Sequence, residues 1–178
     1  MKTIIKGAIL SAMFTSSLAF SHGENGSVGA GIGASYGLVG GSVDIPFSEN
    51  LYGSVGLGNA FGELGYNAGV RYYLADANRT WRPRLVVNYG TIGVVQTETC
   101  FFDLCSDEEY EAFVGTSFGV GQSVAFGSNH SHGFDIDLLY IADDGGRDER
   151  IKELEDEGFE LKSGKSKALF SIGYRFNF

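Results

Sequence analysis

Six charged residues stand on the polar side of otherwise apolar, alternating stretches: Asp44, Arg71, Arg84, Asp135, Asp137 and Arg175. Three acids and three bases gathered away from water can do one of two things. They neutralise one another as a fixed network, because an isolated buried charge is very costly, or they pass a proton or ion along, as buried ionisable groups elsewhere do. The balanced count favours the network. Of the three histidines, His130 and His132 flank Ser131, but a Ser beside a His in sequence is no triad, which is defined by geometry in space. A His-x-His pair supplies two metal ligands, which is a weak site by itself. No catalytic residue, resident metal or cofactor is therefore expected. The remaining chemistry lies in two cysteines, Cys100 and Cys105, and in two acidic stretches. Residues 98–111 carry six acids and no base, and residues 143–165 carry nine acids and five bases.

The elements that hold these residues are strands. From residue 27 onward, segments of eight to fifteen residues alternate apolar and polar positions with the period of two that places successive side chains on opposite faces. The segments are 27–34, 38–47, 51–58, 64–74, 84–97, 112–126, 133–141 and 167–178, eight in all once the long first stretch is divided at Ser35-Tyr36-Gly37. Short turns are expected at 48–50, 75–82 and 127–132, and longer connections at 98–111 and 142–166, with 35–37 and 59–63 on the same side as the long ones. Twenty-seven glycines and only two prolines, Pro46 and Pro83, suit close strand packing. Residues 1–21 have a basic front at Lys2 and Lys6, an apolar stretch and small residues before a cut, the pattern of a secretory signal peptide. That leaves 22–178 as a single domain of about 157 residues, enough for roughly eight strands.

The last strand is the most regular. Ala168, Phe170, Ile172, Tyr174, Phe176 and Phe178 share one face. An alternating aromatic strand with a terminal Phe resembles the assembly signature of Gram-negative outer-membrane β-barrel proteins, and Tyr174, Phe176 and Phe178 carry the likeness. In size and layout the chain is similar to the small OmpA and OmpX type barrels. The resemblance implies an all-β fold, an eight-stranded antiparallel transmembrane β-barrel with short periplasmic turns and longer extracellular loops. It also implies both termini in the periplasm, a monomer, handling by the barrel assembly machinery, and contact with outer-membrane lipid and lipopolysaccharide. A soluble lipocalin-like barrel, with the apolar face turned inward, is the structural alternative.

With the apolar face toward lipid, the six charges line the interior at one level near the turn end, with Asn67, Asn88 and Asn177 nearby. They are expected to act as a structural plug. Beyond them the lining is small: Gly29, Gly31, Gly33, Ser54, Gly56, Gly58, Gly90, Gly115 and Ser117. Water or inward-folded loop residues fill that space, or it forms a shallow pocket. Removing Lys2 and Lys6 takes the formal charge from −9 to −11, of which the two long loops supply −10. Such acidity excludes nucleic acid, which needs clustered Lys and Arg. In an exported chain Cys100 and Cys105 are expected to pair, closing a small ring that presents Phe101 and Phe102 beside Asp107, Glu108 and Glu109. With Asp143 and Asp144, these are the candidate contacts for divalent cations or an extracellular partner. Residues 143–148 do not have EF-hand spacing. A short helix is plausible over 148–161 from Ile151, Leu154, Leu161 and the Arg150/Glu153 pair. The functional expectation is a non-enzymatic surface protein serving envelope integrity, adhesion or partner binding. A narrow channel or small-ligand carrier, and a lipid A-modifying enzyme, are the alternatives.

Overall fold

A computed structural model describes residues 26–97, 100–101, 104–105, 109–156 and 166–178, with backbone alone for 97, 100, 101, 104, 105, 109 and 128. The signal peptide lies outside the described residues. Ten strands follow one another: β1 (Ser27–Gly33), β2 (Leu38–Pro46), β3 (Leu51–Ala60), β4 (Glu63–Tyr73), β5 (Trp81–Thr97), β6 (Cys100–Phe101), β7 (Leu104–Cys105), β8 (Glu109–Phe126), β9 (His132–Asp143) and β10 (Ala168–Asn177). One helix, α1 (Arg147–Asp156), lies between β9 and β10.

Eight of the strands close an all-antiparallel barrel in the order β1-β10-β9-β8-β5-β4-β3-β2. Closure is made by β1, whose Gly31 lies opposite Gly173 of β10 on one side and Gly40 of β2 on the other. A closed sheet has no edge strand, so every barrel strand has neighbours for its backbone groups on both sides. Each strand splits its side chains as its alternation predicts. Phe134, Ile136, Leu138 and Tyr140 of β9 are exposed, while Asp135, Asp137 and Leu139 between them are buried. Phe170, Ile172, Tyr174, Phe176 and Phe178 are exposed around buried Ser171 and Arg175. The greasy face points outward and the charged face inward, the inverse of a lipocalin-like barrel and the arrangement that suits hydrocarbon outside. Among the described residues no helix is long and apolar enough to cross a membrane.

Both described chain ends lie with the short turns, where the Phe178 N–H donates to the Gly26 carbonyl at 3.0 Å. At the opposite end the expected 59–63 loop is a two-residue hairpin turn. Phe61 and Gly62 there have φ 55° and 100°, the double positive φ that matches the twist of the flanking strands. The fifth strand begins at Trp81, three residues before the sequence places it. Pro83 does not stop it, because its carbonyl accepts from Leu74 N just past the end of β4, so no ladder N–H is lost there. Val95 is expected outward and is instead buried. A β-bulge between Thr91 and Gly93 inserts Ile92 and shifts the inward set, so that Ile92 and Val95 both face in.

Past the barrel rim, β5 and β8 continue as a two-stranded ribbon from Gly93↔Phe113 to Thr97↔Glu109. Helix α1 folds back on this ribbon. Ile151 and Leu154 pack with Ile92, Val95, Phe113 and Ile141, and Leu169 borders the cluster. The helix starts after a tight reversal in which Asp143 and Asp144 each accept a backbone N–H, from Gly145 at 3.2 Å and Gly146 at 3.1 Å.

Candidate functional site

The interior is built from the inward rows of β2, β4, β5, β9 and β10. Asp44, Arg71, Arg84, Asp135, Asp137 and Arg175 are all brought together, and each is buried. Asp135 is the hub. Its carboxylate faces Arg84 at 2.9 Å, Arg175 at 3.3 Å and Arg71 at 3.8 Å. Arg84 also grips Asp137 through Nη2 at 2.7 Å and Nε at 2.9 Å, while Arg71 reaches Asp44 at 2.6 Å and Arg175 reaches it at 3.7 Å. Hydroxyls add to the network. Tyr73 accepts from Arg84 at 3.1 Å and from Arg175, Ser123 accepts from Arg175, and Ser27 donates to Asp44 at 3.1 Å. In a low-dielectric interior, paired charges with additional hydrogen bonds are the tolerable form of buried charge.

Above this layer the lumen holds protein. Residues 35–37 are not an outward loop. The β1–β2 connection turns in as a single 3₁₀ turn, Ala34–Tyr36, with all three side chains buried. Ser35 donates to Asp137 at 2.9 Å and accepts from Asn88 at 3.5 Å, tying the turn to the charges. Tyr36 lies along the small residues expected to leave room. A Cβ on Gly173 would come within 2.2 Å of its hydroxyl, and one on Gly31 within 2.7 Å of its ring. Gly37, at φ 65°, reverses the chain. Of the three asparagines expected near the charges, Asn88 touches the network through Ser35. Asn67 is buried in the barrel wall, and Asn177 instead donates to the His130 carbonyl at 2.7 Å.

Tyr73, Ser35, Tyr36, Ser123 and Arg82 belong to this interior and were not singled out from sequence. For Tyr73 and Arg82 the signal was available, since each stands two residues along an inward row from a residue that was, Arg71 or Arg84.

The loop candidates divide. Asp143 and Asp144 serve local turns, as described above. The backbone of β6 and β7 sets Cys100 directly opposite Cys105 and Phe101 opposite Leu104. The side chains of Phe101, Glu109 and both cysteines, and all of Phe102, Asp107 and Glu108, lie outside the described residues. At the turn end His132 Nδ1 is bonded to the Tyr174 hydroxyl on the outer face, within an aromatic cluster of Phe126, Phe134 and Phe176, and His130 Nε2 is 3.5 Å from Thr80 Oγ1. Tyr174, Phe176 and Phe178 therefore stand on the outer surface beside the chain's end. Among the described residues no three His, Cys, Asp or Glu side chains gather to hold a metal ion.

Fold and interior together define a closed eight-stranded barrel of the outer-membrane type, apolar outside and ion-paired within. Among solved structures the chain is similar to the N-terminal β-barrel domain of Pseudomonas aeruginosa OprF, with a TM-score of 0.49 and 12% identity over 86% of this chain and 97% of that one. No protein-family model and no curated protein matches it. The fold assignment rests on the strand ladders themselves.

Proposed function

We propose that the chain is a non-enzymatic, monomeric barrel of the bacterial outer membrane, its termini in the periplasm and its working surface the loop end. There it presents acidic groups to divalent cations or to an extracellular partner. The observation that carries the reading is the sealed interior. Six paired charges and the inward turn at Ser35 and Tyr36 occupy the lumen, which closes the way through the barrel and leaves its two ends as the places where anything can be met. At the loop end Arg150 pairs with Glu111 at 3.4 Å and Glu153 at 3.2 Å, and Lys167 with Asp148 at 3.6 Å. Residues 143–156 hold seven acids against three bases, so the excess is negative. Opposed Cys100 and Cys105 at the ribbon tip suit a disulfide that would brace Phe101 and Phe102 for contact.

The experiment has two parts. The protein is fractionated from expressing cells and then reconstituted in a planar bilayer. An outer-membrane band whose gel mobility shifts on heating, with no single-channel steps, is the expected result. Discrete conductance steps would replace this reading with the channel, and a change in lipid A mass between cells with and without the protein would replace it with the enzyme.

A further inference from the structure

At the turn end, below the charge network, the barrel leaves a cavity of ≈ 380 Å³ whose walls include Asn50, Tyr52, Tyr73, Arg82 and Arg175. This is within the size range of a small-molecule site. The network above it is neutral, three guanidiniums against three carboxylates. Arg82 is not part of that balance. It is 8% exposed, and no carboxylate among the described residues pairs with it. Its Nε donates to the Ala75 carbonyl at 3.3 Å and its guanidinium lies 4.0 Å from the centre of the Tyr73 ring, which together fix its orientation. Its Nη2 is buried with no hydrogen-bond partner. A buried cation without an anion is an expensive arrangement, and a guanidinium fork is matched best by a carboxylate or phosphate.

Two further groups narrow the ligand. The Asn50 Oδ1 on the same wall is a buried acceptor without a partner, suited to an N–H. Glu49 and Asp76 also line the cavity, both exposed, and neither forms an ion pair with Arg82. They disfavour a second negative charge on the ligand and favour a positive one. An anionic group for Arg82, an N–H for Asn50 and a cation for the rim are the three features of a short peptide with free ends. We propose that this cavity binds the terminal carboxylate of a short zwitterionic peptide, with Arg82 holding the carboxylate and Asn50 the adjoining N–H.

The test uses the full chain, isotopically labelled and refolded in detergent micelles. It is titrated with dialanine, with dialanine amide, and with inorganic phosphate, while the Arg82 Nε–H and Asn50 side-chain resonances are followed. Dialanine is expected to give saturable shifts of both. Its amide should bind about tenfold more weakly or worse, the low end of what a hydrogen bond to a charged group contributes. Arg82→Gln should weaken dialanine to the level of the amide. Asn50→Asp, which places a carboxylate in the cavity, should abolish dialanine binding while keeping the heat-shifted gel band of a folded barrel. Equal binding of dialanine and its amide, or no saturable shift, overturns the proposal. Phosphate binding as tight as dialanine overturns the peptide assignment. Should Arg82→Gln fail to fold, the comparison of acid with amide in the unaltered protein decides.

Discussion

Asp135→Asn removes one charge at the centre of the lumen and almost no volume. In the unaltered protein this carboxylate faces three guanidiniums, at 2.9, 3.3 and 3.8 Å, and is 1% exposed. After the change Arg71, Arg84 and Arg175 must share Asp44 and Asp137, and the layer goes from neutral to one net positive charge. Taking one partner from a buried ion pair costs about 3–5 kcal/mol, chiefly because the charge left behind stays desolvated. That is a large share of the total stability of ~5–15 kcal/mol typical of a folded domain. The assay is reversible urea unfolding in lipid vesicles, followed by Trp81 fluorescence and by gel mobility. The expected outcome is a loss of about 3–5 kcal/mol at unchanged slope. The double variant with Arg84→Gln should cost less than the two single changes added together, by at least ~1 kcal/mol, since one removes the charge the other strands. A loss below ~1 kcal/mol, the level of an exposed pair, would mean that the network is hydrated and does not seal the barrel.

Three further outcomes follow from the same geometry. Gly173→Ala sets a methyl 2.2 Å from the Tyr36 hydroxyl and 2.3 Å from its Cζ and should cost about 1–3 kcal/mol by the same unfolding assay, as overpacking does, with no full recovery when Tyr36→Phe is added, since the ring stays in place. Leu154→Ala should detach α1 from the ribbon at a cost of about 2–5 kcal/mol, seen as lost hydrogen-exchange protection over 147–156 with the barrel strands unchanged. At Asp148 partial burial pushes the carboxyl up, but the hydrogen bond and charge of Arg147, aided by Asp144 and Lys167, bring it net below its usual value. The folded form therefore prefers the ionised side chain. Its contribution is present above the unfolded carboxyl value near pH ~3.9 and fades as pH falls through the lower folded value, so α1 should lose protection there and Asp148→Asn should remove that dependence.

The strands were legible because a barrel wall separates two solvents of opposite kind, and each residue's partition between them is written in the alternation. Phe134, Asp135, Ile136 and Asp137 declare their sides one after another. The misreadings fall where that rule is interrupted. Pro83 looks like a boundary and is not one, since the hydrogen bond it cannot make would point past the end of β4. Ile92 is one residue too many for its ladder, and nothing in its side chain announces a bulge, so Val95 behind it was assigned to the wrong face. Ser35 and Tyr36 carry no period at all. Their inward path depends on backbone reversal at Gly37 and on glycines contributed by β1 next to them and by β3 and β10, which are distant in sequence. The six-charge layer was readable as a set because its balance is a property of composition. Its hub was not, since only register decides that Asp135 rather than Asp137 meets three arginines.

The β5–β8 ribbon continues for the five residues Gly93–Thr97 after β4 has ended its pairing at Gly90, with Phe61 of the β3–β4 turn stacked on its Tyr110. At ~3.3 Å per residue, and with strands inclined at about 40° to the barrel axis, that is a rise of roughly 10–15 Å. The interfacial layer on one side of a bilayer is only about 5–8 Å deep. With the barrel rim seated at the hydrocarbon edge, the backbone tip that sets Cys100 opposite Cys105 would stand beyond the headgroups, on a stem braced by α1. Shortening the ribbon by equal numbers of residues on both strands would withdraw that tip without altering the barrel beneath.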